Sequence, residues 1–325
     1  MFHLSKPADR DFVILNLTDP QLSDGEWGEV NHNRLVMTKT VETLVSRIRP
    51  DLITVSGDIA WAKHMLSYRT FADFLDSLGI PWAPVWGNHD NQCGEEEVDR
   101  VANEYLTHPL CLYEKGDPSL GNGNYVIRIE ENGRPVTAIF MMDSHDRMPY
   151  ETLSGEEALG WAKLIPEQLN WYREQIAALE KDGCRDSALI LHIPPYGYKL
   201  AADAAFRAGV DKNAMTPDNC RGTRFWNDGY ADAYGVQHEG IGCYPCNDGV
   251  IDLISILGST KHIIAGHDHI NNTVIPYRGI KLVYSLKTGP GCYWEPSLNG
   301  GTYLFAGKDG IREVRHEFVD PTPFL

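Results

Sequence analysis

The stretch WAPVWGNHD, residues 82–90, joins five apolar residues to a glycine and then to an amide, an imidazole and a carboxylate. A short apolar run that stops at glycine predicts a buried strand followed by a sharp turn. The same arrangement recurs at five other places: Phe12 to Leu17 before Asp19, Leu52 to Ser56 before Gly57-Asp58, Thr137 to Met142 before Asp143, Ala188 to Leu191 before His192, and His262 to Ala265 before Gly266-His267. The repetition predicts strands that deliver polar side chains at their carboxyl ends.

Helical spacing separates several of these strands. Apolar residues recur every three or four positions over 35–48, 71–78, 166–179 and 250–257, as expected for helices that cover a sheet. After His269 the chain becomes strand-rich and glycine-punctuated, which indicates a second, more antiparallel sheet. The pattern predicts an α/β fold with two packed mixed β-sheets flanked by helices.

The chain shows no repeat, low-complexity tract or linker, so we expect residues 1–325 to form a single domain. The stretch 199–247 is rich in Gly, Asp, Asn and Tyr and is too long for a plain connection. We interpret it as an irregular insertion near the mouth of the site.

Charge and hydropathy exclude several classes of function. The formal net charge of −16 repels polyanions, so large nucleic acids are unexpected partners. No apolar stretch is long enough to span a membrane, and residues 1–10 lack an apolar signal core. These features predict a soluble, cytoplasmic protein.

Seven cysteines are an odd number and argue against a fully paired disulfide framework. Reduced thiols are the simpler interpretation. A tetrahedral zinc site is the alternative, with possible ligands at Cys220, His238, Cys243 and Cys246.

Open α/β sheets bind their ligands outside the carboxyl ends of the strands, so the polar side chains that follow these strands should lie close together. In chain order the polar residues at those positions are Asp19-Pro20-Gln21, Gly57-Asp58, Gly87-Asn88-His89-Asp90, His192 and Gly266-His267-Asp268-His269. Carboxylate, amide and imidazole together are the ligand types of transition metals of intermediate softness. The sequence therefore predicts a metal site.

This ordered set resembles the signature of the calcineurin-like metallophosphoesterases. The run from Gly160-Trp161 to Asn170-Trp171, with His192-Ile193-Pro194, Cys246-Asn247-Asp248-Gly249 and residues 266–272, is more narrowly similar to the short purple-acid-phosphatase-like branch of plants and fungi. The resemblance implies that family's αββα sandwich and two metal ions per chain, either Mn, Fe or Zn. It implies Asp19 and His269 on the first metal, Asp58 on both, and Asn88, His192 and His267 on the second.

Two further roles follow from the resemblance. His89 would assist the leaving group, and Asp90 would orient His89. The implied reaction is hydrolysis of phosphomonoesters or phosphodiesters by a hydroxide that bridges the metals. The substrate would be a small phosphorylated molecule or a phosphoprotein.

The chain departs from the family pattern at two positions. Gln21 stands where most relatives carry a histidine, and an amide oxygen is a weaker ligand that cannot act as a base. Trp61 stands where purple acid phosphatases carry a tyrosine ligand, so no tyrosinate-to-iron colour is expected.

Two other functions remain open from the sequence. Gln21 and the insertion would suit a catalytically weakened, metal-binding interaction scaffold. A nuclease would suit the fold, although the net charge opposes it. His64 and His145 could line the pocket, and Tyr196 could border the substrate. Four cations are candidates for binding a remote anionic group: Arg147, Lys199, Arg221 and Arg224.

Overall fold

A computed structural model describes residues 1–27, 31–61 and 63–325. The strands are β1 Phe2–Ser5, β2 Phe12–Leu17, β3 Leu52–Ser56, β4 Trp82–Val85, β5 Asn124–Glu131, β6 Arg134–Met142, β7 Arg147–Glu151, β8 Glu157–Trp161, β9 Ser187–Ile190, β10 Thr260–Ala265, β11 Val274–Tyr277, β12 Ile280–Tyr284, β13 Gly300–Gly307 and β14 Gly310–Phe318. The helices are α1 His32–Ile48, α2 Met65–Ser77, α3 Asn88–Asn91, α4 Glu95–Tyr105, α5 Pro166–Lys181, α6 Gly197–Ala205 and α7 Val250–Leu257.

The first sheet has five strands in the order β14-β13-β2-β3-β4. Strands β2, β3 and β4 are parallel, whereas β13 runs antiparallel to β2. Every residue of the three parallel strands is buried. Parallel strands are covered on both faces, which explains why they are continuous apolar runs in the sequence.

The second sheet has seven strands in the order β1-β5-β6-β9-β10-β12-β11. Its centre, β6-β9-β10-β12, is parallel. Strands β7 and β8 form a separate antiparallel hairpin.

Strand β6 shows how the layers pack. Its residues Ile139 and Met141 belong to the hydrophobic cluster that also contains β2, β3 and helices α1, α2 and α4. The alternate residues Ala138 and Phe140 belong to a second cluster with helices α5, α6 and α7. Because successive strand residues face opposite sides, one face of β6 packs on the first sheet and the other on helices. The predicted fold of two packed mixed sheets flanked by helices is confirmed.

The stretch 199–247 was expected to be irregular throughout, but its first seven residues are helical because α6 extends to Ala205. The alanine-rich sequence Lys199 to Ala205 has high helix propensity, and Tyr198, Ala201, Ala202 and Ala205 form the buried face of α6. Beyond α6 this stretch contains short 3-10 turns at Lys212–Ala214 and Asp228–Tyr230.

Across the described residues, each helix is too short or too polar to cross a bilayer.

Candidate metal centre

Loops from both sheets come together at the carboxyl ends of β2, β3, β4, β9 and β10. Asp19 and Asp58 follow β2 and β3, and the backbone N–H groups of Asp19 and Gln21 donate to the carbonyl oxygens of Gly57 and Asp58 at 3.1 Å. His192 and His267 arrive from the other sheet, and the His267 amide donates to Asp19 Oδ2 at 3.1 Å. The sheets are thus joined through the predicted ligand loops.

The backbone at these loops is unusual. Four of the predicted ligand residues adopt the left-handed conformation, with φ of 53° at Asp19, 45° at Gln21, 51° at Asp58 and 78° at His267. Residues other than glycine rarely adopt this left-handed backbone conformation, and backbone strain of this kind concentrates at functional sites.

Glycine allows these loops to approach each other closely. A Cβ atom at Gly266 would lie 2.0 Å from Thr18 Oγ1 and 2.7 Å from Asp19 Oδ2. A larger residue at this position would therefore push the His267 loop away from Asp19.

One group of potential ligands consists of Asp19, Asp58 and His269, whose ligand atoms lie within 4.8 Å of one another. His269 Nδ1 lies 2.8 Å from the carbonyl oxygen of Tyr293. A carbonyl only accepts, so this contact holds the proton on Nδ1 and leaves the Nε2 lone pair free. Nε2 faces Asp19 Oδ1 at 3.4 Å.

The second group consists of Asp58, His192 and His267 and meets the same distance limit. His192 Nδ1 lies 2.8 Å from the carbonyl oxygen of Ser56, which likewise leaves Nε2 with a lone pair in the neutral ring. That Nε2 lies 3.3 Å from Asp58 Oδ2, 3.1 Å from Asn88 Oδ1 and 3.3 Å from His267 Nδ1. Four electron-donating atoms therefore converge on one position.

The carboxylates make this position strongly attractive to cations. Burial disfavours the imidazolium, but Asp58 and Asp19 outweigh burial and raise the pKa of His192 to about 10. Burial and the neighbouring His192 lower the pKa of His267 to about 3, so that ring is neutral. A neutral imidazole next to a negative field is suited to bind a metal ion.

Unpartnered buried atoms provide an independent test of fit. Asp19 Oδ1, Gln21 Oε1 and Asn88 Nδ2 are buried and have no hydrogen-bond partner among the described residues. Two of these atoms are oxygen acceptors that a cation would satisfy, and unsatisfied buried polar groups are rare without a functional reason. The residues present therefore fit two metal ions that share Asp58.

The chain is similar to known proteins in both sequence and fold. The model of the calcineurin-like phosphoesterase family matches residues 12–271. The chain belongs to this family. A relative from Arabidopsis thaliana, named probable inactive purple acid phosphatase 28, is 26% identical over 296 residues, which cover 84% of this chain and 67% of the relative. Phosphatase DCR2 of Saccharomyces cerevisiae is 26% identical over 294 residues, covering 83% of this chain and 46% of that protein.

A dimetal phosphatase from Danio rerio has a similar fold, with a TM-score of 0.56 at 14% identity and coverage of 95% of this chain and 99% of that one. Because it belongs to the calcineurin-like phosphoesterases, this chain is classed as a metallophosphoesterase. Gln21 is the residue at which this chain departs from the usual ligand pattern.

Gln21 is buried and lies beside Asp58 in the candidate metal centre. Its Nε2 donates to Asp58 Oδ2 at 2.8 Å, the same oxygen that His192 approaches. Its Oε1 is the unpartnered atom described above. The amide thus holds Asp58 with its nitrogen and presents its oxygen as a potential ligand.

His89 lies at the edge of the centre with a quarter of its side chain exposed. Its Nε2 is 3.9 Å from Asp58 Oδ2, its Nδ1 is 2.8 Å from Gln92 Oε1, and its ring packs on Trp61 at 4.9 Å between centroids. Gln92 follows His89 by three residues, the spacing that places two side chains on one helix face.

The expectation that Asp90 orients His89 is wrong. The Asp90 carboxylate instead accepts from the backbone N–H groups of Ile59, Ala60 and Gly87 and from the hydroxyl of Tyr68. Burial and the charge of Asp58 raise its pKa to about 7. Asp90 therefore fixes the loop after β3 to the turn after β4, and Gln92 orients the imidazole.

Several contributors to the site were not predicted. The carbonyl groups of Ser56 and Tyr293 set the histidine tautomers, and no sequence signal distinguishes one backbone carbonyl from another. Lys287 is buried and donates to the carbonyl oxygen of Asp19. Trp161 is only partly buried, and its ring meets that of His267 edge-on at 4.3 Å between centroids.

The remaining predicted residues have other partners. His64 lies 3.9 Å from Asp24, and His145 Nε2 lies 2.9 Å from Gln168 Oε1. His145 also lines a cleft of about 750 Å³ together with Asn91, Glu95, Asn122 and Asp146. The backbone amide of Tyr196 donates to Asp248, 2.6 Å away.

The alternative zinc site has little geometric support. Cys220 Sγ donates to the carbonyl oxygen of Pro217, and His238 Nε2 lies 2.9 Å from that of Met215. Cys243 is buried whereas Cys246 is exposed. Within the described residues, clusters of potential metal ligands occur at the Asp58-centred groups and not at these cysteines.

Proposed function

We propose that this chain hydrolyses phosphate monoesters or diesters at a pair of metal ions that share Asp58. The observation that carries the proposal is the presence of two ligand groups, Asp19/Asp58/His269 and Asp58/His192/His267, with one carboxylate in common. Asn88 would complete the second group through Oδ1 and Gln21 the first through Oε1. When bound, two adjacent cations lower the pKa of a shared water and offset charge on the phosphoryl oxygens.

The protein's own residues set up the rest of the reaction. Asn88 and Gln21 are neutral, so they add no negative charge that would repel a phosphate ester. His89 carries its proton-transfer nitrogen, Nε2, toward the centre because Gln92 engages Nδ1. We assign the protonated form of His89 the delivery of a proton from Nε2 to the departing oxygen, a general-acid role that histidine fills more often than other side chains.

The decisive experiment loads the purified protein with Mn²⁺, Fe²⁺ or Zn²⁺ and measures cleavage of a chromogenic phosphomonoester and its matching diester. Asn88→Ala serves as the control, because it removes one ligand and leaves the other buried groups in place. Cleavage that is lost in the variant supports the proposal and identifies the ester class. Verified metal occupancy without cleavage of a broad ester panel refutes it.

A second candidate is an interaction scaffold that binds metal without turnover. The hydrogen bond from Gln21 to Asp58 favours it, because the amide nitrogen engages a carboxylate oxygen needed for metal binding. This candidate makes two requirements. The chain must form a stable complex with another protein, and the metal-loaded chain must hydrolyse no ester. A nuclease has less support, since the net charge is −16.

We propose a small phosphorylated molecule as the substrate. A polyanion would meet the long-range repulsion of a chain whose formal net charge is −16. The loading experiment also shows which of Mn, Fe or Zn supports hydrolysis.

A further inference from the structure

We infer that Arg147 recognises a second anionic group, a carboxylate or phosphate, on the leaving-group side of the substrate. This inference rests on the proposed phosphoesterase function and adds a substrate class to it. It places a specificity-determining residue outside the metal ligands.

Two chains of contacts locate Arg147 at the centre. In the hairpin of β7 and β8, Arg147 pairs with Trp161, and its guanidinium carbon lies 3.6 Å from the centroid of the indole. That indole meets the ring of His267 at 4.3 Å and 84°. Arg147 is therefore separated from a proposed ligand of the second metal by a single aromatic ring.

The second chain of contacts begins at the residue before Arg147. Asp146 Oδ1 accepts from Gln92 Nε2 at 3.4 Å, and Gln92 Oε1 engages His89 Nδ1 at 2.8 Å. The dipeptide Asp146-Arg147 thus spans from the proposed proton donor to the neighbourhood of His267. A group attached to the departing oxygen would lie along this span.

The guanidinium of Arg147 has unused hydrogen-bonding capacity. Over the described parts of the chain it forms no hydrogen bond and no ion pair, and the side chain is exposed. Several other surface arginines have acidic partners, for example Arg69 with Glu104 and Arg278 with Asp252. Arg147 instead stacks on the Trp161 ring, which leaves its N–H donors available.

The other cations considered from the sequence lack this placement. Lys199 pairs with Asp203 at 2.6 Å, and Arg221 and Arg224 lie over the rings of Tyr234 and Phe225. Arg147 is also held by an indole, and stacking on an aromatic ring limits the freedom of a guanidinium while its edge stays available. A planar fork of donors suits a carboxylate or phosphate.

The test compares two esters that differ only in charge, 3-carboxyphenyl phosphate and 3-carbamoylphenyl phosphate, with the corresponding methyl diesters if the protein proves to be a diesterase. The measured quantity is the ratio of kcat/KM for the carboxylate ester to kcat/KM for the amide ester. We expect this ratio to be about ten in the wild type, the size of one charge-assisted hydrogen bond at a partly exposed site. Arg147→Gln should bring the ratio close to one, and Arg147→Lys should restore part of it.

Arg134→Gln is the matched control. Arg134 is an exposed arginine at the start of β6, the end of that strand remote from Asp143, and its replacement changes the net charge by the same amount. A wild-type ratio near one, an unchanged ratio in Arg147→Gln, or an equal fall in Arg134→Gln would each overturn the inference.

A binding measurement separates this inference from the proposed function. The two matching phosphonates cannot be hydrolysed. Calorimetry with the metal-loaded protein measures their dissociation constants, and the ratio of the two constants gives the preference for the carboxylate compound over the amide compound. The proposed function fails only when the metal-loaded protein cleaves no ester of the broad panel, and if neither of these two esters is cleaved the phosphonates decide the role of Arg147. Tighter binding of the carboxylate phosphonate that disappears in Arg147→Gln supports the inference, and equal binding overturns it.

Discussion

His89 differs from its neighbours in being partly exposed, with Gln92 and Trp61 fixing its ring from two sides. A side chain held in this way can transfer a proton without a search through rotamers. Its side chain is not one of the predicted metal ligands, and the N–H group that donates to Asp58 Oδ1 belongs to the backbone, so replacement of the side chain should affect chemistry more than metal binding.

We therefore expect His89→Ala to slow hydrolysis of an alkyl ester about 100-fold, within the usual range for general acid catalysis. The loss should be much smaller for a nitrophenyl ester, whose leaving group needs little protonation. Steady-state kinetics over a series of leaving groups measures this difference, with metal content checked by elemental analysis. Equal losses across the series, or loss of metal, would contradict the assigned role.

Gln21 has both an amide nitrogen bound to Asp58 and an unpartnered oxygen. Replacement by histidine would remove the competing N–H group and supply an imidazole, a better ligand for these metals. We expect Gln21→His to tighten binding of one of the two metal ions about tenfold, a change of about 1.4 kcal/mol. Competition with a chelator of known affinity measures the two binding constants.

Gln21→Leu is the matching control, since it removes the amide but keeps an apolar body of similar size. Weaker binding in Gln21→Leu shows that the amide oxygen ligates. Equal affinity in wild type, Gln21→His and Gln21→Leu would mean that this position does not reach the metal.

At the scale of elements, Asp90 connects the loop after β3 to the start of α3. Its carboxylate receives three backbone N–H groups and the Tyr68 hydroxyl, all of them buried. An asparagine is the same size but presents an NH₂ group to one of these donors.

We expect Asp90→Asn to lower the free energy of unfolding by about 3 kcal/mol, because it leaves buried donors without an acceptor. Tyr68→Phe removes one donor together with its hydrogen bond and should cost about 1 kcal/mol. Urea denaturation monitored by circular dichroism gives both values. Similar stability of Asp90→Asn and wild type would show that the carboxylate is not needed to join these loops.

The elements also show what the sequence could reveal. Strands β2, β3, β4, β9 and β10 were predicted because parallel strands buried on both faces are continuous apolar runs that end at glycine or at a polar ligand. Hairpin β7-β8 was missed because its residues alternate between exposed and half-buried and include Pro149, so no apolar run marks it. Helix α4 was missed for a related reason, since its first turn is three glutamates.

The residues of the candidate site also divide into those that the sequence could predict and those that it could not. Asp19, Asp58, Asn88, His192, His267 and His269 could be predicted because their residue types and strand-end positions are visible in the sequence. The Ser56 and Tyr293 carbonyls could not, because they act through the backbone. The partners of Asp90 depend on a contact between two loops, which the local sequence does not encode.

At the scale of the whole molecule, the centre joins the two sheets. Asp19, Asp58 and Asn88 follow strands of the five-stranded sheet, whereas His192 and the pair His267 and His269 follow strands of the seven-stranded sheet. A bound cation would therefore hold the sheets together. We propose that residues 1–325 form one domain around this junction, with 199–247 as an insertion.

We expect removal of metal by a chelator to lower the melting temperature in a single cooperative transition. Free metal at 100 times its dissociation constant stabilises the folded state by about 2.7 kcal/mol, which the chelated protein loses. Differential scanning calorimetry of wild type and Asp58→Asn measures the effect, and the variant should show little response to metal. Two separate transitions would contradict the single-domain proposal.

The pairing of β13 with β2 has a consequence for synthesis on the ribosome. Strand β2 lies between β3 and β13, so the loop bearing Asp19 is flanked on one side by residues 300–307. A nascent chain that has released β2, β3 and β4 still exposes one edge of β2 until residues 300–307 have emerged. Unpaired strand edges promote aggregation, so growing polypeptides of this protein need protection from one another until β13 has been synthesised.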